Sequence, residues 1–229
     1  MAKYTIKEFL ELLYLNWKVK FYNFVEFGKV VWYYYPKSTF RRCDFRLITY
    51  YLFNNPFQIA KHFLYHRGED PYTYGETPLT TLDTISRLCR LTPGDLVFEL
   101  GCGRGRTCFW LNQFVGCRVV GVDFVPEFIQ KADSLKEAYD LDDIEFRCED
   151  MLQTGLSGAT VIYLYGICYS DGFIRQLIKR FESLPAGCKI ITVSYELAEY
   201  DPRAPFERIR RFSVPFTWGV ADVYLQIKI

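Results

Sequence analysis

The residues richest in chemistry form one short run, Glu99-Leu100-Gly101-Cys102-Gly103-Arg104-Gly105, followed by Asp123, twenty-four residues after Glu99, and then by Asp150. Glycines at three alternate positions permit a tight turn and let a ligand approach the backbone, where side chains would stand in the way. A carboxylate such as Asp123, closing the next apolar run, can accept hydrogen bonds from both hydroxyls of a ribose. The dinucleotide pattern needs a small third residue where this chain has Arg106, with a helix start facing pyrophosphate. Glu99, two residues before the first glycine, would repel a pyrophosphate but suits a ligand carrying an ammonium group. The combination favours S-adenosylmethionine over a dinucleotide.

Such a turn works where a strand hands over to a helix, because ligands of open parallel sheets bind at the carboxyl ends of the strands. The surrounding pattern supplies that setting. Short apolar runs predict strands at Leu96–Leu100, Arg118–Asp123, Ile144–Cys148, Thr160–Tyr165 and Lys189–Tyr195. Helical windows fall at Leu79–Leu91, before the turn Thr92-Pro93-Gly94-Asp95, and at Thr107–Val115, Pro126–Tyr139 and Gly172–Leu184. Alternation of this kind implies an α/β fold with a Rossmann-like, doubly wound parallel sheet. Ile209–Phe216 and Val220–Ile229, joined at Trp218-Gly219, read as a closing antiparallel pair.

The first third is different. Leu10, Leu13, Tyr14, Trp17, Phe21, Phe24, Val31 and Trp32 recur at helical steps, with Lys7, Glu8, Glu11, Lys18, Glu26 and Lys29 opposite. Gly28 is expected to interrupt this helix and Tyr35-Pro36 to end it. A shorter helical stretch follows over Arg46–His66, then a loop over Gly68–Pro78. The chain thus divides into residues 1–77, a helical region with a covering loop, and residues 78–229, an α/β domain.

The 229 residues carry 28 basic and 27 acidic side chains, a net charge of +1 that gives no bulk attraction to nucleic acid or anionic lipid. Residues 1–67, however, hold 11 Lys/Arg against 4 Asp/Glu, and the remainder is acidic. No apolar run is long enough to span a membrane, and the N-terminus reads as lacking a cleaved leader. Eight scattered cysteines without a CxxC pair are then expected to be free thiols, mostly buried, in a reducing compartment, which places the chain in the cytoplasm. His62 and His66, four apart with Glu69 and Asp70 near, lack a further ligand at metal spacing, so no metal site is expected.

With the alternation and the terminal pair in place, Thr92 to Ile229 resemble the class I S-adenosylmethionine-dependent methyltransferases. The resemblance implies that Glu99 to Gly105, including Gly101, Cys102 and Gly103, wraps the methionine end of the cofactor. It puts Asp123, with Phe124 beside it, on the ribose, and Glu149-Asp150-Met151 against the adenine. Tyr165-Gly166-Ile167 would face the transferred methyl group. A narrower resemblance, to the non-SET lysine methyltransferases named for disruption of telomeric silencing, is carried by Tyr74-Gly75-Glu76-Thr77 and by Ser213–Trp218 with Val223–Leu225. It implies that Tyr74, Glu76 and Thr77 cover the cofactor, that Glu76 holds its methionine end, and that Phe216 lines a lysine channel. This chain has Tyr165-Gly166 where that family has an Asn, and Val223 where the hairpin's second aromatic is expected.

A methyl acceptor needs alignment and exclusion of water rather than a covalent nucleophile. Ring faces of Tyr165, Tyr169, Phe216 and Trp218 can hold a cationic centre, at about 0.5–2 kcal/mol each. Tyr195, Glu196 and Asp171, after strand ends, are the candidates for a base. The missing Pro-Pro-aromatic run after the fourth strand disfavours a nucleobase amine, and Cys168, with no adjacent proline, reads as packing. A protein lysine is the leading acceptor, with a small molecule as alternative, and a non-catalytic cofactor-binding module as a further one. Residues 1–77 are expected to form a lid. Lys37, Arg41, Arg42 and Arg46 also suit an acidic partner, and residues 1–35 suit an anionic membrane, a reading the glutamates weaken.

Overall fold

A computed structural model describes residues 5–66, 74–166 and 168–229, with the side chains of Ile6 and Phe9 left aside. Three helices come first, α1 (Ile6–Tyr33), α2 (Ser38–Tyr50) and α3 (Pro56–His66), then α4 (Leu79–Leu88). The alternation follows as β1 (Leu96–Leu100), α5 (Arg106–Trp110), β2 (Arg118–Asp123), α6 (Pro126–Ala138), β3 (Ile144–Cys148), β4 (Val161–Leu164), α7 (Asp171–Phe181) and β5 (Lys189–Val193). The hairpin of β6 (Phe206–Phe216) and β7 (Gly219–Lys228) closes the chain.

The strands form one seven-stranded sheet in the order β3-β2-β1-β4-β5-β7-β6. Five are parallel, and β7 enters antiparallel between β5 and β6. Sequential strands run outward from β1 to β3, and the chain then crosses to β4 on the other side. That reversal opens a crevice at the carboxyl ends of β1 and β4. Because side chains alternate along a strand, the sheet feeds two cores. Val97, Val119, Val161 and Ile191 face α4, α5, α6 and the N-terminal helices. Phe98, Val120, Ile162 and Ile190 face α7. Burial on both sides is why these strands read as unbroken apolar runs.

Boundaries moved where local chemistry overrode the run. Strand β4 is shorter than Thr160–Tyr165, and β5 stops at Val193 because Ser194 takes a left-handed φ of 73°. Helix α5 passes into a π turn, Leu111–Val115, ended by left-handed Gly116. The stretch over Arg46–His66 becomes parts of two helices, broken before Pro56, whose ring bars continuation of the preceding turn.

Helix α1 runs straight through Gly28, contrary to the expected break. A single glycine costs only about 1 kcal/mol in a helix, and contacts at Glu26 and Val30 hold α1 on either side of it. Thr5 and Glu8 cap its start reciprocally, Glu8 Oε2 accepting from Thr5 N–H at 2.7 Å. The face that docks is not the apolar stripe. Glu26, only 9% exposed, accepts from Thr80 N–H at 3.0 Å and Thr80 Oγ1 at 2.7 Å, and Val30 is buried beside it. The stripe from Leu10 to Trp32 therefore points to solvent.

The ends of α1 and α2 pack by aromatic edges onto α5 and its π turn: Tyr34 lies 5.5 Å from Trp110, and Phe40 lies 5.1 Å from Phe114. Among the described residues no helix is long and apolar enough to cross a membrane.

Candidate active site

The glycine run leaves β1 at the crevice. Gly101, Gly103 and Gly105 all take left-handed φ values, 81°, 53° and 75°. A Cβ on Gly103 would stand 2.9 Å from the Tyr74 ring, and one on Gly105 would stand 2.6 Å from Phe146. Only glycine satisfies both the conformation and the space. The loop is pinned from below: Gly101 and Cys102 N–H groups donate to the Val122 carbonyl, at 2.8 and 3.0 Å.

Asp123 completes the cradle. Its Oδ2 accepts from Gly103 N–H at 2.8 Å and its Oδ1 from Val125 N–H at 2.9 Å. Each oxygen retains a lone pair for a hydroxyl in the cleft. Burial pushes this carboxyl up to about 6 against the backbone donors of Val125, Gly103 and Phe124. Glu99 is deeper, and burial pushes it up to about 7 although Thr107 Oγ1 donates to it at 2.5 Å and Cys108 Sγ at 3.0 Å.

A cleft of about 420 Å³ opens here, within the range of small-molecule sites. It is lined by Tyr74, Gly101, Asp123, Phe124, Asp150, Met151, Tyr165 and Tyr169, eight of the residues singled out from the sequence. Glu76, Thr77, Glu99, Cys102 and Gly103 instead surround an adjoining recess of about 20 Å³, also reached by Gly101, Tyr74 and Tyr165. Gly105 lines neither and acts by shaping the turn. Ile167 lies outside the described residues, as do Glu69 and Asp70. Ala60 and Leu64 of α3 and Ser170 and Phe173 at the start of α7 also line the cleft and were not foreseen. Their four- and three-residue spacings were visible, but not which side of each helix would turn inward.

The recess is small because an ion pair fills it. Arg104 Nη2 donates to Glu76 Oε2 at 2.7 Å, and Tyr74 OH donates to Glu76 Oε1 at 2.5 Å. Burial opposes the Glu76 charge, but the guanidinium prevails and holds this carboxyl below its ordinary value. Glu76 is thus already paired, so a cationic ligand in the recess must share it with Arg104 or displace that side chain. The next arginine reaches further: Arg106 binds Asp44 of α2 through Nε and Nη2, at 2.6 and 2.8 Å. The long side chain that spoils a dinucleotide fingerprint is a tie to the N-terminal helices.

Thr77 Oγ1 meets Tyr163 OH at 2.6 Å and fixes the covering loop to β4. Beyond β4, Tyr165, Phe216 and Trp218 form a three-ring stack, with centroids 5.2 and 5.6 Å apart. Trp218 Nε1 donates to Tyr165 OH at 3.0 Å. Phe216 is 2% exposed and stacks on both other rings, lining none of these cavities, while Tyr165 lines them all. Tyr169 packs on Phe173 at 4.7 Å. Tyr195, Glu196 and Asp171 line none of the three cavities, and Glu196 is paired with Arg208 at 2.7 Å.

A larger cavity, about 820 Å³, lies on the other side of Tyr74-Gly75 and Tyr165. Its walls include Val19, Phe27 and Val30 of α1, Ile48, Phe57 and Trp218. The N-terminal region therefore covers the site in two ways, α3 over the cleft and α1 over this second chamber. His62 and His66 face each other with Nε2 atoms 3.1 Å apart, and among the described residues no three His, Cys, Asp or Glu group to hold a metal.

The sheet order, the glycine cradle and the carboxylate opposite it define a Rossmann-like α/β domain with a ligand-sized cleft at the carboxyl ends of its strands. Residues 97–184 match the family model described as a methyltransferase domain. The chain is 26% identical over 165 residues to a Dictyostelium discoideum histone-lysine N-methyltransferase, H3 lysine-79 specific, covering 65% of this chain and 9% of that protein. It is 26% identical over 139 residues to a sterol 24-C-methyltransferase of Eremothecium gossypii, covering 58% of this chain and 37% of that one. It shares its fold with an RNA methyltransferase from Salinibacter ruber solved with S-adenosyl-L-homocysteine: TM-score 0.55, 24% identity, 67% of this chain and 94% of that chain. The chain thus spans well under half the length of these two curated relatives.

Proposed function

We propose that this protein is an S-adenosylmethionine-dependent methyltransferase whose acceptor is the side-chain amine of a protein lysine. The observation that carries the reading is Tyr165, backed by Phe216 and Trp218, standing between the cofactor cleft and the second chamber. The likeness to lysine-79-specific relatives supports the choice of acceptor. When bound, S-adenosylmethionine would supply a methyl carbon on sulfonium for attack by an acceptor lone pair, the C–S electrons leaving on the neutral thioether of S-adenosylhomocysteine.

The chain's own residues do the rest. Asp123, with Phe124 beside it, would take the ribose hydroxyls, Asp150 and Met151 would flank the base, and the glycine backbone would follow the ligand. The ring faces offer an acceptor nitrogen a dry approach. The carboxylates around the second chamber are engaged, Glu26 with Thr80 and Glu76 with Arg104. Desolvation without a free counter-charge favours the neutral amine, so the acceptor's proton leaves to water before transfer.

The size and apolar walls of the second chamber favour a second reading, a bulky apolar small molecule. Incubation with methyl-labelled cofactor and cell extract, followed by separation of protein, nucleic acid, lipid and small molecules, distinguishes the two. Label in protein, absent with Asp123→Ala, is the expected result. Label in the lipid or small-molecule fraction overturns the lysine reading in favour of the second. Cofactor binding with no label in any fraction points to a binding module without turnover. Asp123→Ala should weaken cofactor binding about a hundredfold by calorimetry, since charge-assisted hydrogen bonds are worth about 1.5–3 kcal/mol.

A further inference from the structure

Helix α1 is 28 residues long, about 42 Å at 1.5 Å per residue. Along its solvent side stand Leu10, Leu13, Tyr14, Trp17, Phe21 and Phe24, continuing to Val31 and Trp32, all exposed. Trp17, Phe24 and Trp32 are 74%, 75% and 78% exposed. Single exposed apolar residues are ordinary, but a continuous stripe of this length marks a binding surface. Nothing among the described residues covers it, and its opposite side is occupied by Glu26 and Val30 against the body.

The charges around the stripe identify what it meets. At 100° per residue, Lys7 and Lys18 flank one edge of the stripe and Lys20 the other. The acids are mostly withdrawn. Glu8 caps the start of α1, Glu26 binds Thr80, and Asp44 binds Arg106. Only Glu11 shares an edge with the lysines, on the far side of Lys18 from the stripe. The glutamates that weaken a membrane reading in the sequence are, in the fold, turned to other tasks. Tryptophan, tyrosine and phenylalanine rings between lysine edges are the make-up of helices that lie in the headgroup layer, with lysine stems reaching back to the phosphates. A second copy is a poorer occupant. The seam lacks the Leu/Ile heptad that pairs helices, and pairing would bring like lysine edges together.

We propose that the outward face of α1 docks on an anionic phospholipid bilayer, parallel to its surface. The proposal is independent of methyl transfer. It is tested with the full chain by flotation with vesicles of phosphatidylcholine, with and without phosphatidylserine, at low and high salt. The protein should float with the anionic vesicles and lose this in high salt, as screening demands. Trp17→Glu with Phe24→Glu should weaken partitioning about a hundredfold, and Lys18→Ala with Lys20→Ala about tenfold. These positions are exposed, so an unchanged melting temperature shows that the fold survives. Failure to float with anionic vesicles overturns the proposal, as does flotation that the two double variants leave unchanged. A concentration-dependent dimer that Trp17→Glu with Phe24→Glu converts to monomer, without vesicle binding, assigns the face to a second copy instead.

Discussion

The sheet and the first helix use apolar residues in opposite ways. In β1, β2, β4 and β5 they are driven inward on both faces, and the polar groups that remain, such as Glu99 and Asp123, are held by hydrogen bonds. In α1 the apolar side is turned out, and attachment falls to Glu26, Val30 and Tyr22, whose side chain hydrogen-bonds Thr81. Hydrophobic periodicity locates an amphipathic face but not what it faces. In the sheet the two coincide because every strand is covered on both sides. In α1 they part, because the best partners on the body, Thr80 and the aromatic cluster, select Glu26, Val30 and Tyr34 instead.

The contrast can be broken most forcefully at Asp44. Asp44→Ala leaves Arg106 buried without its partner, and loss of one member of a buried pair costs about 3–5 kcal/mol. Denaturant unfolding should show that loss, and Arg106→Met added to Asp44→Ala should recover part of it.

Next in size is a pH effect confined to the sheet. Glu99 has a folded value of about 7 against an ordinary 4.5, so the folded form binds its proton more tightly than the unfolded chain. The contribution is fully present below about pH 4.5 and is lost as pH rises through about 7. The melting temperature of the cofactor-free protein should therefore fall across that window, more steeply than in Glu99→Gln. Asp123, raised to about 6, adds to the same trend in its lower part.

The two sides of α1 give the finest comparison. Val30→Ala removes buried methyl groups and should cost about 2 kcal/mol. Trp17→Ser, on the outward stripe, should change stability by less than about 0.5 kcal/mol. Equal losses in the two variants would mean that the stripe is covered in solution.

Much of the site was legible because its chemistry is local. The strands at Leu96–Leu100, Arg118–Asp123 and Ile144–Cys148 fall where their apolar runs place them, and the glycine run stands at the end of the first. The sequence places Asp123 at the end of the second strand, where it lines the cleft, but does not show it as the group that also fixes Gly103 and Val125. What the sequence concealed depends on reach across distance. Arg104 and Glu76 are 28 residues apart, and Arg106 and Asp44 are 62 apart. No spacing rule connects them. The orientation of α1 and the entry of α3 into the cleft were hidden for the same reason.

The two arginines that alternate with the glycines of the loop have a consequence for how the chain can be divided. One answers to an acid at position 76 and the other to an acid at position 44, both ahead of the residues that match the methyltransferase family. Cut free of its first 77 residues, the loop would keep its glycines and turn two bare guanidiniums toward the recess beside the cleft. The stretch that matches the methyltransferase family model is therefore not a transplantable cassette: its glycine loop is neutralised by one charge from helix α2 and another from the loop before α4.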